Sequence, residues 1–155
     1  MDGTEFEARV LNCEACLYRI ARSMLRSDQD CGDALQEGIL RAWQHLDRLR
    51  DESRFEAWLT RIVINECRNI QRGYKRRPVS LESVQEEGIQ PPDSGLANAL
   101  SSLPEKYRLP LALHHGEGFS VKEIAAMLRI PQSTVKWRLY ESRRLLHDAL
   151  YEEVR

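Results

Sequence analysis

Apolar residues recur along this chain at alternating steps of three and four, the period of one face of an α-helix. Phe6, Val10, Cys13, Leu17, Ile20 and Met24 form the first such stripe, with Thr4 and Glu7 before it at the spacing of a capping box. The stretch "SDQDCGD" breaks the pattern and offers several capping side chains. A second helix is predicted with Leu35, Ile39, Ala42, Trp43 and Leu46 on its inner face. Gly32 and Gly38 should weaken it by up to about 1 kcal/mol each relative to Ala. After the polar connection "LDRLRDES", Ser53 and Glu56 make a second capping box. Phe55, Trp58, Leu59, Ile62, Val63 and Ile70 then mark a third helix that ends near "RGYKRRP". Residues 1–78 therefore read as a three-helix domain with Trp43 and Trp58 at its centre.

Residues 79–95 carry no convincing period, contain Pro91, Pro92, Gly88 and Gly95, and predict a flexible linker. Helical patterning resumes over 96–155. Leu96, Leu100 and Leu103 suggest a short helix, and Pro104 suits the start of another, with Tyr107 and Leu111 inward. Pro110 should kink that helix or remove a hydrogen bond, and Gly116 and Gly118 end it. Ser120 and Glu123 form a third capping box, opening a helix with Ile124, Ala125 and Leu128 inward. After the tight turn "RIP" comes a last helix, "PQSTVKWRLYESRRLLHDAL". Its buried stripe is Val135, Leu139, Ser142, Leu146 and Ala149, and its opposite face carries Lys136, Tyr140, Arg143 and His147. Helix, tight turn, helix is the helix-turn-helix arrangement. The fold class predicted is all-α, two small helical domains joined by a linker.

The net charge of −1 argues against a nucleic-acid partner, but its distribution reverses that argument. Residues 1–40 carry −4, residues 41–78 carry +5, residues 79–105 carry −5 and residues 106–155 carry +3. Two basic blocks flank an acidic one, and the local field governs nucleic-acid binding. No apolar run approaches the roughly 20 residues of a membrane span. The acidic start "MDGTEFEARV" does not resemble a secretory signal, so a cytoplasmic location is the default expectation.

In a helix-turn-helix the second helix enters the major groove with its N-terminal residues at the base edges. Gln132, Ser133, Thr134 and Lys136 occupy that end, Tyr140 shares the outward face, and Arg138, Arg143 and Arg144 are candidates for phosphate contacts. The third helix offers a second basic face: Arg61, Asn65, Arg68 and Arg72, with Asn69 beside them. Arg and Asn are the side chains that pair bidentately with guanine and adenine edges. Cys13 and Cys16 form a CxxC, read as structural thiols inside a helical pattern because no second pair follows at zinc-finger spacing. The adjacent His114 and His115 point about 100° apart on a helix and make a weak metal pair. There is no nucleophile–base pair and no phosphate-cradling glycine loop. The chain is read as non-enzymatic, with no cofactor or metal required.

Three segments in series, "DCGDALQEGILRAW", "FEAWLTRIVINECRNIQR" and "LPEKYRLPLALHHGEGFSVKEIAAMLRIPQSTVKWRLYESRRLL", resemble bacterial sigma factors of the extracytoplasmic-function group. The resemblance implies a transcription initiation subunit whose first domain corresponds to the family's region 2 and whose last corresponds to region 4. It implies that Asp33, Gln36, Glu37, Leu40 and Arg41 dock on the clamp coiled coil of core RNA polymerase. It places Asn65 at the family's DNA-contacting position for the −10 promoter element, and the last helix on the −35 element. The loop "LDRLRDESRF" corresponds to the one that captures an unstacked base, with Leu49 where relatives often carry an aromatic residue and with Arg48 and Arg50 as contributors. Trp137 departs from the small residue usual in the family's recognition helix, leaving polymerase, a DNA sugar or a neighbouring helix as its contact. An anti-sigma protein is implied as a further partner. Two other functions compete: a stand-alone helix-turn-helix regulator using only residues 104–150 on DNA, and a CxxC thiol redox protein.

Overall fold

The protein is described by a computed structural model covering residues 1–76 and 95–154. Apart from Gly95, the stretch read as an acidic linker lies outside the described residues. The chain divides into two compact units, Met1–Gly88 and Ile89–Arg155, and every regular element among the described residues is helical.

The first unit is built from α1 (Gly3–Met24), α2 (Asp28–Gln44) and α3 (Phe55–Arg76). All six residues of the predicted α1 stripe are buried. The start of the helix differs from expectation. Asp2, not Thr4, is the N-cap, and its carboxylate accepts the Glu5 N–H at 2.8 Å. Ser27 caps α2 by accepting the Asp30 N–H at 3.1 Å. The expected Ser53–Glu56 box is likewise absent. Asp51 caps a short 3-10 turn, Glu52–Arg54, that runs directly into α3. In both places a carboxylate two residues upstream already has extended backbone, and so takes the free N–H groups first.

The inner face of α2 is Cys31, Ala34, Leu35, Gly38 and Ala42, a rotation away from the predicted Ile39, Trp43 and Leu46. Gly38 explains it. A Cβ there would lie 2.8 Å from Val63 Cγ2 and 3.3 Å from Val63 Cα. The bare backbone of α2 therefore sits against α3, and the small residues at steps of four turn toward it. The core centre consists of Phe55, Leu59, Val63, Ile64 and Cys67 of α3, not the two tryptophans. Trp43 is 46% exposed and covers Phe6 with ring centroids 5.1 Å apart, and Trp58 is half-buried beside Phe55. At the other end, α3 is latched to the junction of α1 and α2. Gln71 donates to the Met24 carbonyl at 3.0 Å. Tyr74 donates to Asp30 and accepts the Arg26 N–H. Burial and the Asp30 carboxylate push the Tyr74 phenol up to about 12, keeping it a donor.

The second unit contains α4 (Gly95–Ser102), α5 (Glu105–Leu111), α6 (Val121–Leu128) and α7 (Gln132–Val154). Pro104 is the N-cap of α5 and Pro110 is buried within it. After Leu111 the helix widens into a π-type turn, Ala112–Gly116, and Gly118 closes it at φ +79°. The Ser120–Glu123 capping box forms as predicted, with both hydrogen bonds at 3.0–3.1 Å. Arg129 ends α6 in the left-handed region at φ 58°, a conformation usually left to glycine. Of the α7 stripe, Val135, Leu139 and Ser142 are buried while Leu146 and Ala149 are half-buried. The Ser142 hydroxyl is satisfied by donating to the Leu139 carbonyl at 2.8 Å.

Candidate nucleic-acid interface and the groove between α2 and α3

The residues expected at base edges lie on the first turns of α7. Gln132, Ser133, Lys136 and Tyr140 are exposed, and Thr134 is half-buried. Trp137 is 57% exposed and Tyr140 61%, and their rings stack at 6.0 Å with 27° between planes. More than half of Trp137 therefore faces solvent.

Two of the three expected phosphate contacts, Arg143 and Arg144, are engaged within the protein. Arg138 is half-buried. Arg143 turns toward the end of the π-type turn, donating from Nε at 3.0 Å and from Nη2 at 2.7 Å to His115 Nε2. That geometry needs a neutral imidazole, and partial burial followed by the Arg143 charge lowers the His115 pKa from its ordinary value. His114 Nδ1 lies 2.8 Å from the Phe119 carbonyl. Arg144 is held between Glu141 and Asp148, and its hydrogen bond keeps the Glu141 carboxyl below the usual range. A phosphate at Arg143 or Arg144 must displace these partners.

On α3, Arg61, Asn65 and Arg68 are half-buried, and Asn69 and Arg72 are exposed and joined by a hydrogen bond from Arg72. The loop between α2 and α3 exposes Arg48 and Arg50 and half-buries Leu49. Arg9 of α1 holds the far end of that loop. Its Nη2 donates to the Glu52 carbonyl at 2.5 Å, its guanidinium lies 4.8 Å from the Phe55 ring centroid, and it pairs with Glu56 at 3.6 Å.

Asp33, Gln36, Glu37 and Leu40 come together on the outer side of α2. With Ala34, and with Glu66 and Ile70 of α3, they line an open groove of about 490 Å³. Asp33 and Glu37 stand exposed at its rim, and Ala34 and Glu66 lie buried beneath. Arg41 is fixed between Glu37 at 3.3 Å and the buried Glu66 at 2.8 Å. Sequence reasoning missed Arg9, Glu66 and the role of His115. Glu66 left a signal, a carboxylate beside the apolar stripe of α3. Arg9 and His115 left none, because their partners are distant in sequence.

The CxxC geometry does not favour thiol chemistry. Cys13 is buried, and burial, with Glu56 nearby, pushes its thiol up to about 11, the opposite of a reactive thiolate.

Residues 13–77 match the Sigma-70 region 2 family and residues 95–146 match the Sigma-70, region 4 family. The ECF RNA polymerase sigma-E factor of Escherichia coli strain K12 is 29% identical over 146 residues, spanning 81% of this chain and 76% of that protein. The chain belongs to the extracytoplasmic-function sigma factors. This sigma factor is also similar to the RNA polymerase sigma-H factor of Pseudomonas aeruginosa, at 26% identity over 169 residues, covering 96% and 88% of the two chains. Among solved structures it resembles the sigma factor RpoE from Bartonella quintana in complex with the anti-sigma factor NepR. The TM-score is 0.80, with 25% identity, 95% of this chain and 97% of that chain covered. CnrH, in complex with the cytosolic domain of CnrY, follows at TM-score 0.72 and 29% identity, covering 97% and 90%. A sigma factor is an initiation subunit and not an enzyme. Two matched regions in series account for both units, which the stand-alone regulator reading does not.

Proposed function

We propose that this sigma factor brings core RNA polymerase to a two-element promoter through three sets of its own residues. Asp33, Gln36, Glu37, Leu40 and Arg41 form the polymerase-docking groove. Arg61, Asn65, Arg68, Asn69 and Arg72, with Arg48, Leu49 and Arg50 of the loop, engage and open the −10 element. Gln132, Ser133, Thr134, Lys136 and Tyr140 read the −35 element, with Arg138, Arg143 and Arg144 on its phosphates. Residues 1–78 and 96–155 act as the two modules, joined by the acidic segment 79–95.

The observation that carries this reading is the coincidence of an outward, exposed recognition face on α7 with an acid-rimmed groove on the other unit. Such a groove suits a partner surface offering cationic and apolar side chains. The structural neighbour RpoE in complex with the anti-sigma factor NepR supports an anti-sigma protein as a further partner. No described helix is long and apolar enough to cross a membrane, and the cytoplasm, where polymerase and chromosome meet, is the proposed location.

Transcription in vitro with purified core polymerase and a promoter library tests this function. Asn65→Ala should impair opening of the −10 region several-fold more than it impairs core binding. Equal losses would remove the assigned role of Asn65, and failure of the wild-type chain to bind core polymerase would remove the function.

A further inference from the structure

Trp137 is a large apolar side chain standing in solvent where a recognition helix meets base edges. It lies one turn beyond Ser133 on the same face, between Lys136 and Tyr140. More than half of it is exposed, and one ring face is braced by Tyr140 at 6.0 Å. The brace restricts the indole's rotamers before any partner arrives, so less freedom is lost on binding. Trp137 is not part of the core, where Val135, Leu139 and Ser142 are the buried residues of α7.

The major-groove edges of the bases present hydrogen-bond donors, acceptors and a single apolar group, the C5-methyl of thymine. An indole offers apolar surface and one N–H donor, with no acceptor. Lys136 beside it supplies the positive charge that keeps this face against DNA.

From this we infer that Trp137, held by Tyr140, is a specificity-determining residue that reads a thymine methyl in the upstream promoter element. The inference rests on the reading of α7 as the helix that enters that element. Tyr140 is its positioning residue, and together the two rings form a small apolar platform among polar base-reading side chains.

The test uses holoenzyme reconstituted from the full chain and core polymerase. A library randomised across the upstream element defines the preferred sequence for the wild type, for Trp137→Ala and for Trp137→Phe. Each thymine of the preferred element is then replaced singly by deoxyuridine, which removes only the methyl group. One replacement should weaken wild-type binding about threefold to fivefold, the worth of one buried methyl. The same replacement should leave Trp137→Ala unchanged, and Trp137→Phe should keep part of the dependence. Equal sensitivity of wild type and Trp137→Ala at every thymine, with the upstream element still required, overturns the inference while leaving the α7 reading intact. Indifference of the wild type to a scrambled upstream element overturns both. A loss of core-polymerase affinity in Trp137→Ala, with thymine dependence unchanged, overturns the inference and turns the indole toward polymerase.

Discussion

The two units present their proposed site residues in different ways. On α7 the side chains proposed to read bases stand on the outer face of one helix, with Gln132, Ser133, Lys136, Trp137 and Tyr140 exposed. In the first unit Arg48, Arg50, Asn69 and Arg72 are exposed as well, but several of their neighbours are tied into tertiary structure. Arg41 is clamped by carboxylates from two helices, Asn65 and Arg61 are half-buried, and the loop between α2 and α3 is tied to α1 by Arg9. The difference fits the tasks proposed for each. Reading an intact duplex requires only a protruding surface. Gripping polymerase and holding separated strands asks for a preorganised frame, because those partners bring unfavourable terms of their own.

The largest break in this comparison comes from the core of the first unit. Phe55 is fully buried, and Phe55→Ala should cost about 3–5 kcal/mol. Hydrogen exchange on the full chain should show α1–α3 losing protection while α5–α7 keep theirs. Matching losses would show that the two units fold as one.

Next comes the groove. Glu66→Ala leaves the Arg41 guanidinium without its buried partner and should cost about 1–2 kcal/mol. Core-polymerase affinity should fall while upstream-element contacts in the assembled holoenzyme persist. Glu66→Gln, which keeps an acceptor, should recover part of the loss.

A smaller effect separates engaged from free charge on α7. Arg143→Ala should lower the slope of binding against salt by about 0.9, one phosphate's share. His115→Ala should leave the slope intact and strengthen phosphate contact, because Arg143 then has no partner to give up. Acid should act in the same direction. The His115 pKa is depressed, so its neutral ring and the Arg143 hydrogen bonds are present above that pKa and lost as pH falls through it. A titration of binding between pH 7.5 and 5.5, compared with His115→Ala, checks the sign.

The smallest effect is expected at the CxxC. With the Cys13 thiol raised to about 11, the Cys13→Ser, Cys16→Ser pair should support normal promoter-dependent transcription at neutral pH. A large loss without unfolding would revive a redox role.

How much of this was legible in the chain depends on the range of the interaction. The α1 stripe, the start of α6 and the outer face of α7 follow from side chains three or four residues apart, and the pattern shows them directly. The orientation of α2 does not. It is decided by Gly38 meeting Val63, a contact between helices, so a pattern that favoured Trp43 as core pointed a few tens of degrees off. The two misplaced N-caps have a local cause: Asp2 and Asp51 stand ahead of sequences that themselves satisfy the capping pattern. At the candidate sites, residue types on outward faces were visible. Their partners, Glu66 for Arg41, His115 for Arg143 and Glu52 for Arg9, come from other elements and became visible only with the fold.

Gly38 also acts as a spacer gauge. By letting two backbones touch, it holds α2 close to α3, the two helices that line the cleft rimmed by Asp33, Gln36 and Glu37, and a Cβ there would force them to shift. The polymerase grip proposed for that cleft is thus mechanically tied to the integrity of the bundle: its rim tolerates change, while the contact beneath it leaves no room for a side chain.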